Sequence, residues 1–91
     1  MNITQKGEFK RAYKRLYDNQ FSEVNSAIET IINNPLIGEE KLGDLVGVRV
    51  LKFSVVGQQF LLAYKIFDNT ICLLALGVHE NFYRDLKRKS L

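Results

Sequence analysis

The sequence predicts a single α+β domain, in which an N-terminal hairpin of two helices packs on a three- to four-stranded antiparallel sheet. A short helix is expected to end the chain. Three observations support this prediction. Apolar residues recur at helical spacing over residues 8–33, strand-like segments separated by turn residues follow over residues 48–76, and no Pro/Gly/Ser-rich linker or internal repeat interrupts the 91 residues. We therefore expect one domain spanning residues 1–91.

Two helices are predicted in the first third of the chain. The first covers residues 8–17, where apolar positions recur every three or four residues between Phe9 and Leu16 and basic residues occupy the other faces. The second covers residues 20–33 and ends before Pro35, because the residue before a proline avoids the helical conformation. Since the connection between them is short, the two helices are expected to form an antiparallel hairpin.

Three strands are predicted over residues 48–55, 59–67 and 70–76, which are rich in β-branched and aromatic residues. The turns between them are so short that consecutive strands should pair as an antiparallel meander. The middle strand is apolar on both faces and is expected to be central, whereas residues 3–5 offer a short fourth strand at one edge. Residues 35–47 are expected to form a loop, and the sheet face away from the helices should stay partly open.

Composition excludes several classes of protein. The apolar runs are far too short to span a bilayer, and the N-terminus lacks a basic-then-apolar signal region, so a cytoplasmic protein without membrane association is expected. The single cysteine, Cys72, lies within a predicted strand and is expected to be a small core residue. With one histidine and one cysteine, a structural zinc site is not expected, and neither is another cofactor.

The net charge of +3 is unevenly distributed along the chain. Residues 1–17 carry five basic residues and one acidic residue, residues 18–47 carry one basic and six acidic residues, and residues 48–91 carry seven basic and three acidic residues. This alternation predicts a basic surface that attracts a polyanion, with an acidic helix placed elsewhere.

The only histidine, His79, directly follows the third predicted strand. Histidine is the one side chain whose unperturbed pKa lets it both accept and donate a proton near neutral pH. If a helix begins near residue 80, Tyr83 lies on the same side of the turn, where its ring can stack on a base or its hydroxyl can donate a proton. A helix-capping or packing role for His79 is the alternative.

Cleavage of RNA without a metal requires a base for the 2′-hydroxyl, an acid for the departing 5′-oxygen, and cations that offset charge on the phosphorane. The candidate catalytic residues are His79, Tyr83 and Arg49. The candidates for binding RNA phosphates are Lys52, Lys65, Arg84 and Lys87. Arg49 and Lys52 should lie on opposite faces of a regular strand because their separation is odd, so one of them is expected to be a surface charge.

The order of elements and the motifs resemble those of the RelE/ParE superfamily of toxins from bacterial type II toxin–antitoxin systems, over nearly the whole chain. The matching motifs are Phe9-Lys10-Arg11, Asn34-Pro35, Leu42-Gly43-Asp44-Leu45 before Val48-Arg49-Val50, Leu62-Ala63-Tyr64-Lys65-Ile66 and Leu76-Gly77-Val78-His79-Glu80-Asn81-Phe82-Tyr83. His79 and Tyr83 match a histidine and an aromatic residue four positions later in one nuclease branch. Arg49 and Lys52 fall near basic strand positions of other nuclease members. Many members place an arginine in the middle strand, where this chain has Gln58, Gln59 and Phe60–Leu62.

The resemblance implies a fold and a function. The family fold is a two-helix hairpin on an antiparallel sheet. RelE-like members are ribosome-dependent mRNA endonucleases silenced by an antitoxin that wraps the toxin, and ParE-like members poison DNA gyrase. The leading expectation is therefore a cytoplasmic, metal-independent mRNA endoribonuclease that inhibits translation, with the ribosome, mRNA and an antitoxin as partners. The alternatives are a gyrase inhibitor without nuclease activity and an inactive remnant that binds only its antitoxin.

Overall fold

The computed structural model describes residues 1–79 and Phe82. Its helices are α1 (Gly7–Lys14) and α2 (Phe21–Asn33), and its strands are β1 (Asn2–Gln5), β2 (Glu39–Glu40), β3 (Arg49–Val55), β4 (Gln58–Phe67) and β5 (Thr70–Val78). Short 3-10 turns at Asp18–Gln20 and Gly43–Leu45 precede α2 and β3. The architecture is α+β, but the predicted arrangement of the strands in the sheet and that of the two helices are both wrong. The predicted C-terminal helix lies outside the described residues.

The sheet is mixed and has five strands in the order β1-β5-β4-β3-β2, so the prediction of three or four antiparallel strands is wrong. β1 lies parallel to β5, with Asn2 beside Thr70 and Gln5 beside Leu73. Both helices and three strands separate β1 from β5 along the chain, so no tight turn forces the two strands to be antiparallel. The fifth strand, β2, comes from the predicted loop and pairs with the first two residues of β3.

The predicted helix hairpin is also wrong as a description of the helical layer. α1 packs mainly against β5 and α2 against β3, so each helix directs its apolar side to the sheet. The two helices meet through Tyr13, whose ring centroid lies 5.1 Å from that of Phe21 and whose hydroxyl donates to Asn25 Oδ1 at 2.7 Å. With eight residues, α1 is short, and its buried residue, Phe9, belongs to the core against the sheet.

Two buried clusters lie on opposite faces of the sheet. The helix-side cluster contains Phe9, Val24, Ile31, Val55, Phe60, Leu62, Tyr64, Ile71, Leu73 and Leu76. The cluster on the other side, which we call the second face, contains Leu45, Val48, Val50, Leu61, Ala63, Cys72, Leu74 and Phe82. The second face is therefore less open than expected, although Cys72 is buried as predicted.

The central position of β4 explains its continuous apolar sequence. Phe60, Leu62 and Tyr64 contribute to the helix-side cluster, whereas Leu61 and Ala63 contribute to the second face. A strand buried on both faces loses the alternation of apolar and polar residues that marks a half-exposed strand. The prediction that this strand is central is confirmed. No helix in the described part of the chain has the length and apolar character needed to cross a membrane.

Tyr64 and Arg49 together fix the segment that joins α2 to β2. The Tyr64 side chain is fully buried; its hydroxyl donates to the Pro35 carbonyl at 2.6 Å and accepts from the Gly38 N–H at 2.9 Å. Arg49 Nη1 donates to the carbonyls of Leu36, at 3.1 Å, and Gly38, at 2.8 Å. A Cβ on Gly38 would lie 2.7 Å from the Tyr64 hydroxyl oxygen, so this position requires glycine.

Replacing Tyr64 with Phe is expected to lower the free energy of unfolding by about 1–3 kcal/mol, because the Gly38 N–H and the Pro35 carbonyl lose a buried partner. Urea denaturation measures this difference. Tyr13→Phe is the matched control, since it removes a hydrogen bond between exposed side chains, and it should cost less than about 0.5 kcal/mol. Equal costs for the two variants would contradict the structural role of the Tyr64 hydroxyl.

The stability difference between the wild-type protein and Tyr64→Phe is expected to depend on pH. Burial raises the pKa of Tyr64 above its ordinary value, and the Gly38 hydrogen bond and the Arg49 charge offset part of that rise. The hydroxyl therefore stabilises the fold fully below the unfolded-state pKa of about 10, and this contribution is lost as the pH rises through the raised pKa. The stability difference between the wild-type protein and Tyr64→Phe should accordingly shrink above pH 10.

Candidate functional site

The backbone holds His79 firmly at the end of β5. Its N–H donates to the Gln59 carbonyl on β4 at 3.0 Å, and its own carbonyl accepts the N–H of Phe82 at 3.3 Å. Phe82 is buried in the cluster on the second face, whereas His79 is exposed. The result is an imidazole on a fixed backbone with access to solvent, as an acid–base group requires.

An irregularity in β5 determines how its last residues are placed. Ala63 lies opposite Ala75, but Tyr64 lies opposite Leu73, so Leu74 is an extra residue in β5. Such a bulge reverses the alternation of faces beyond it. Consistently, a Cβ on Gly77 would contact the Phe82 ring at 3.4 Å, which places this position on the second face. By alternation His79, two residues later, belongs to the same face.

The strand register brings Lys52 to the same region. Leu61 on β4 lies opposite both Lys52 on β3 and Gly77 on β5, and directly opposite residues share a face of the sheet. Lys52 therefore lies on the second face, two strands away from His79 and two residues along the sheet. Standard strand spacings put their Cα atoms about 12 Å apart, a distance that one bound nucleotide can bridge with the two side chains.

Two polar residues complete this end of the sheet, and neither was predicted from the sequence to be a site residue. Ser54 on β3 lies opposite Gln59 on β4, and Gln59 in turn accepts the His79 N–H, so the three form a row across the sheet. Both Ser54 and Gln59 are exposed. The signal that identifies them is the two-residue turn at Val56-Gly57, because a turn of that length fixes the register of the strands it joins.

The charge of Lys52 acts on an acidic residue of β2. The pKa of Glu39 on β2 is lowered, first by its hydrogen bond and ion pair with Lys41 and to a smaller extent by the charge of Lys52. Lys41 Nζ lies 2.5 Å from Glu39 Oε1, so Lys41 is the principal partner of this carboxylate. Lys52 is exposed beside this pair, and its ammonium remains suited to binding an incoming phosphate.

The structure does not bring all the predicted candidates together. Lys65 lies opposite Cys72 and therefore on the second face, but it is six residues from Gln59 along β4, or about 20 Å. Arg49 lies opposite Tyr64 on the helix side, where it is partly buried against main-chain carbonyls. The prediction that Arg49 and Lys52 lie on opposite faces is confirmed. The remaining candidates, Tyr83, Arg84 and Lys87, lie outside the described residues.

We define the candidate site as the row of Ser54, Gln59 and His79 together with Lys52. Its groups can move a proton, bind an anion and donate or accept hydrogen bonds. That combination suits a phosphodiester and its sugar more than an apolar ligand. Arg49 is not part of this site, because it lies on the other face of the sheet, where its Nη1 donates to two main-chain carbonyls.

Comparison with known proteins matches this architecture to one family. A sequence model described as ParE-like toxin of type II bacterial toxin-antitoxin system matches residues 3–87. None of the curated protein sequences compared with the chain is similar enough to count as a match.

Solved structures show the same fold at low sequence identity. A chain of the E. coli RelBE toxin–antitoxin complex is 15% identical, with a TM-score of 0.70 over 87% of this chain and 96% of that one. The YoeB/ParE toxin from Agrobacterium tumefaciens is also 15% identical, with a TM-score of 0.70 over 87% of this chain and 99% of that one. YafQ from E. coli is 22% identical, with a TM-score of 0.64 over 90% and 97%.

Arg49→Ala is expected to lower the free energy of unfolding by about 1–3 kcal/mol, because two carbonyls of the segment before β2 lose a charged donor. Lys52→Ala is the matched control on the same strand; it removes an exposed charge and should change stability by less than about 0.5 kcal/mol. Chemical denaturation measures both values. An Arg49→Ala protein as stable as wild type would refute the structural role and restore Arg49 as a surface cation.

Proposed function

Because this chain belongs to the ParE-like toxins of bacterial type II toxin–antitoxin systems, we propose that it is a ribosome-dependent mRNA endoribonuclease kept inactive by an antitoxin. Family membership agrees with the resemblance found in the sequence. The observation that carries the proposal is the exposed His79, held by the backbone at the end of the second face with Lys52 on that face. An inhibitor that acts by binding alone would not need an acid–base group beside a phosphate-binding cation.

The proposed reaction is an internal phosphoryl transfer. The 2′-oxygen of a ribose bonds to the adjacent phosphorus, the bond from phosphorus to the 5′-oxygen breaks, and a cyclic phosphate and a free 5′-hydroxyl result. His79 takes the 2′-hydroxyl proton or supplies the 5′-oxygen proton, and Lys52 offsets the charge that builds on the phosphorane. Tyr83 remains the candidate for the other proton transfer, with Arg84 and Lys87 as further phosphate contacts.

The small number of reactive groups supports a requirement for the ribosome. Over the described residues 1–79 and Phe82, the candidate site has one imidazole and one cation. Such a site gains most of its rate from a substrate already held in reactive geometry, and a translating ribosome holds mRNA in that way. The exposed basic residues of α1 give the chain a second surface for a polyanion; they are Lys10, Arg11 and Lys14. This mode of action places the toxin in the cytoplasm.

An antitoxin is the proposed protein partner, by analogy with the toxin–antitoxin complex of similar fold. Its expected contacts are the basic surface of α1 and the segment 83–89. A third contact is suggested by the structure. Among the described residues, β2 covers only Arg49 and Val50, so residues 51–55 have an open outer edge, beside a groove of about 340 Å³ against α2. An extended antitoxin segment can add to such an edge as a further strand.

The second candidate function is inhibition of DNA gyrase without bond cleavage. The family description, which names ParE-like toxins, favours it. Gyrase inhibition would depend on protein–protein contacts and would leave His79 and Lys52 without a chemical role. The remaining alternative is a chain that binds only its antitoxin and is not toxic.

One experiment separates these functions. The purified chain is added to a reconstituted bacterial translation system, and the 5′ ends of the mRNA are mapped with and without ribosomes; a parallel assay measures DNA supercoiling by purified gyrase. Cuts in mRNA that appear only during translation support the nuclease. Intact mRNA with blocked supercoiling supports the gyrase inhibitor, and no effect in either assay supports the remnant.

His79→Ala is expected to reduce the rate of mRNA cleavage by two to four orders of magnitude, or about 10²- to 10⁴-fold, the usual contribution of a general acid or base. The variant should stay folded, because it keeps the backbone hydrogen bonds of this position to Gln59 and Phe82, and a denaturation curve checks this. Cleavage is measured in the reconstituted system at saturating ribosomes. A folded His79→Ala protein that cuts mRNA at the wild-type rate would exclude His79 from the chemistry.

Lys52→Ala is expected to weaken binding to mRNA-programmed ribosomes and to reduce the slope of log affinity against log salt by about one. Lys65→Ala is the matched control: both lysines lie on the second face, but Lys65 lies at the other end of it. Lys65→Ala should change the ribosome affinity and its salt dependence much less than Lys52→Ala does. Equal losses for the two variants would show that Lys52 acts through general charge rather than at the site.

A further inference from the structure

Two hairpin turns have the same length and shape but differ in the residue at their first central position. The β4–β5 turn consists of Asp68 and Asn69, with φ values of 46° and 59°. The β3–β4 turn consists of Val56 and Gly57, with φ values of 46° and 81°. Positive φ at both central residues is the pattern of a type I′ turn, which strongly favours Asn, Asp and Gly. Val56 therefore occupies a position that the other turn fills with a well-suited residue.

Valine is a poor choice for this backbone conformation. Its branched Cβ crowds the neighbouring carbonyl in the left-handed region, and a β-branched residue there is an outlier. Packing in the described fold does not explain the choice, because the Val56 side chain is 58% exposed. A strained and solvent-exposed apolar residue points to a role outside the stability of the fold.

The location of Val56 suggests what that role is. Along β3, the chain presents the cation Lys52, the hydroxyl of Ser54 and, two residues further, the apolar tip at Val56. Ser54 pairs with Gln59 in the row that contains His79, and Val55 pairs with Gln58 in the next row. A single residue pair therefore separates the tip from the row of His79. No charged residue occurs between Phe53 and Phe60. This order matches a nucleotide, which joins a charged phosphate and a polar sugar to a flat base.

We propose that Val56 packs against a nucleobase next to the phosphate bound at His79 and Lys52, and so helps to determine which sequence is cut. The inference rests on the proposed nuclease function and assigns the base contact, which that function leaves open. Apolar side chains pack against the faces of unstacked bases, and they select by shape. A contact with a protein partner is the competing explanation, but it gives no reason for the ordered change along β3 from the cation, through the row that contains His79, to the apolar tip.

The test compares three variants in the reconstituted translation system and in thermal unfolding. Val56→Asn suits the turn and removes the apolar group; its Tm should rise by about 4–8 °C, while cleavage falls by about tenfold and the base preference at the cut changes. Val56→Ile keeps both the strain and the apolar surface, so its Tm and cleavage should stay close to wild type. Asp68→Val introduces the same strain in the other hairpin and should lower Tm without changing cleavage.

Four results would overturn the proposal. If Val56→Asn does not raise Tm, the turn is not strained; if it cuts mRNA at the wild-type rate and positions, Val56 does not contact the substrate. Unchanged cleavage with weakened binding of the antitoxin would assign Val56 to a protein interface instead. If the wild-type chain leaves mRNA intact, the nuclease function fails and the base contact fails with it. If instead the wild-type chain and Val56→Asn cut mRNA equally well, only the base contact fails.

Discussion

The register of β4 against its two neighbours is the constraint on which the rest of the structure depends. β4 is buried on both faces, and each turn that joins it to β3 or β5 has two residues. A slip of one residue would move every side chain of a strand to the opposite face, and the two-residue turns together with the exposed positions of β3 oppose it. Because Leu61 is thereby fixed between Lys52 and Gly77, the same constraint that builds the core also places a cation and the His79 end of β5 on one face.

Arg49 shows that a residue type suited to chemistry can be used for structure. The segment between α2 and β2 leaves main-chain carbonyls near the core, and carbonyls need donors when water is excluded. Arg49 and Tyr64, which lie opposite each other on β3 and β4, supply those donors. Its residue type and its strand position led to the prediction that Arg49 is catalytic, but in this fold its partners are main-chain carbonyls of the same chain.

Local signals in the sequence predict α2 and the three long strands well, because helical periodicity and two-residue turns act over short distances. The edge strand expected at residues 3–5 is present as β1, but its parallel pairing with β5 and the strand β2 were not predicted, since pairing between distant segments leaves no local pattern. The odd spacing of Arg49 and Lys52 is enough to predict that they lie on opposite faces. It does not reveal which face carries His79, because that depends on the extra residue at Leu74, and Leu74 is one apolar residue within an apolar run.

The two faces of the sheet consequently have different relations to stability and function. On the helix side, Tyr64 and Arg49 form hydrogen bonds with the backbone of the same chain, so substitutions there are expected to lower the free energy of unfolding. The His79 end of the second face instead exposes its polar groups to solvent. Exposed polar groups on a rigid strand frame are well placed for binding, because the frame fixes their spacing before a ligand arrives. A nuclease and a gyrase inhibitor therefore differ in what they would require of this end: the proposed nuclease would use the spacing of His79 and Lys52 for chemistry, whereas an inhibitor would need only a surface that another protein can bind.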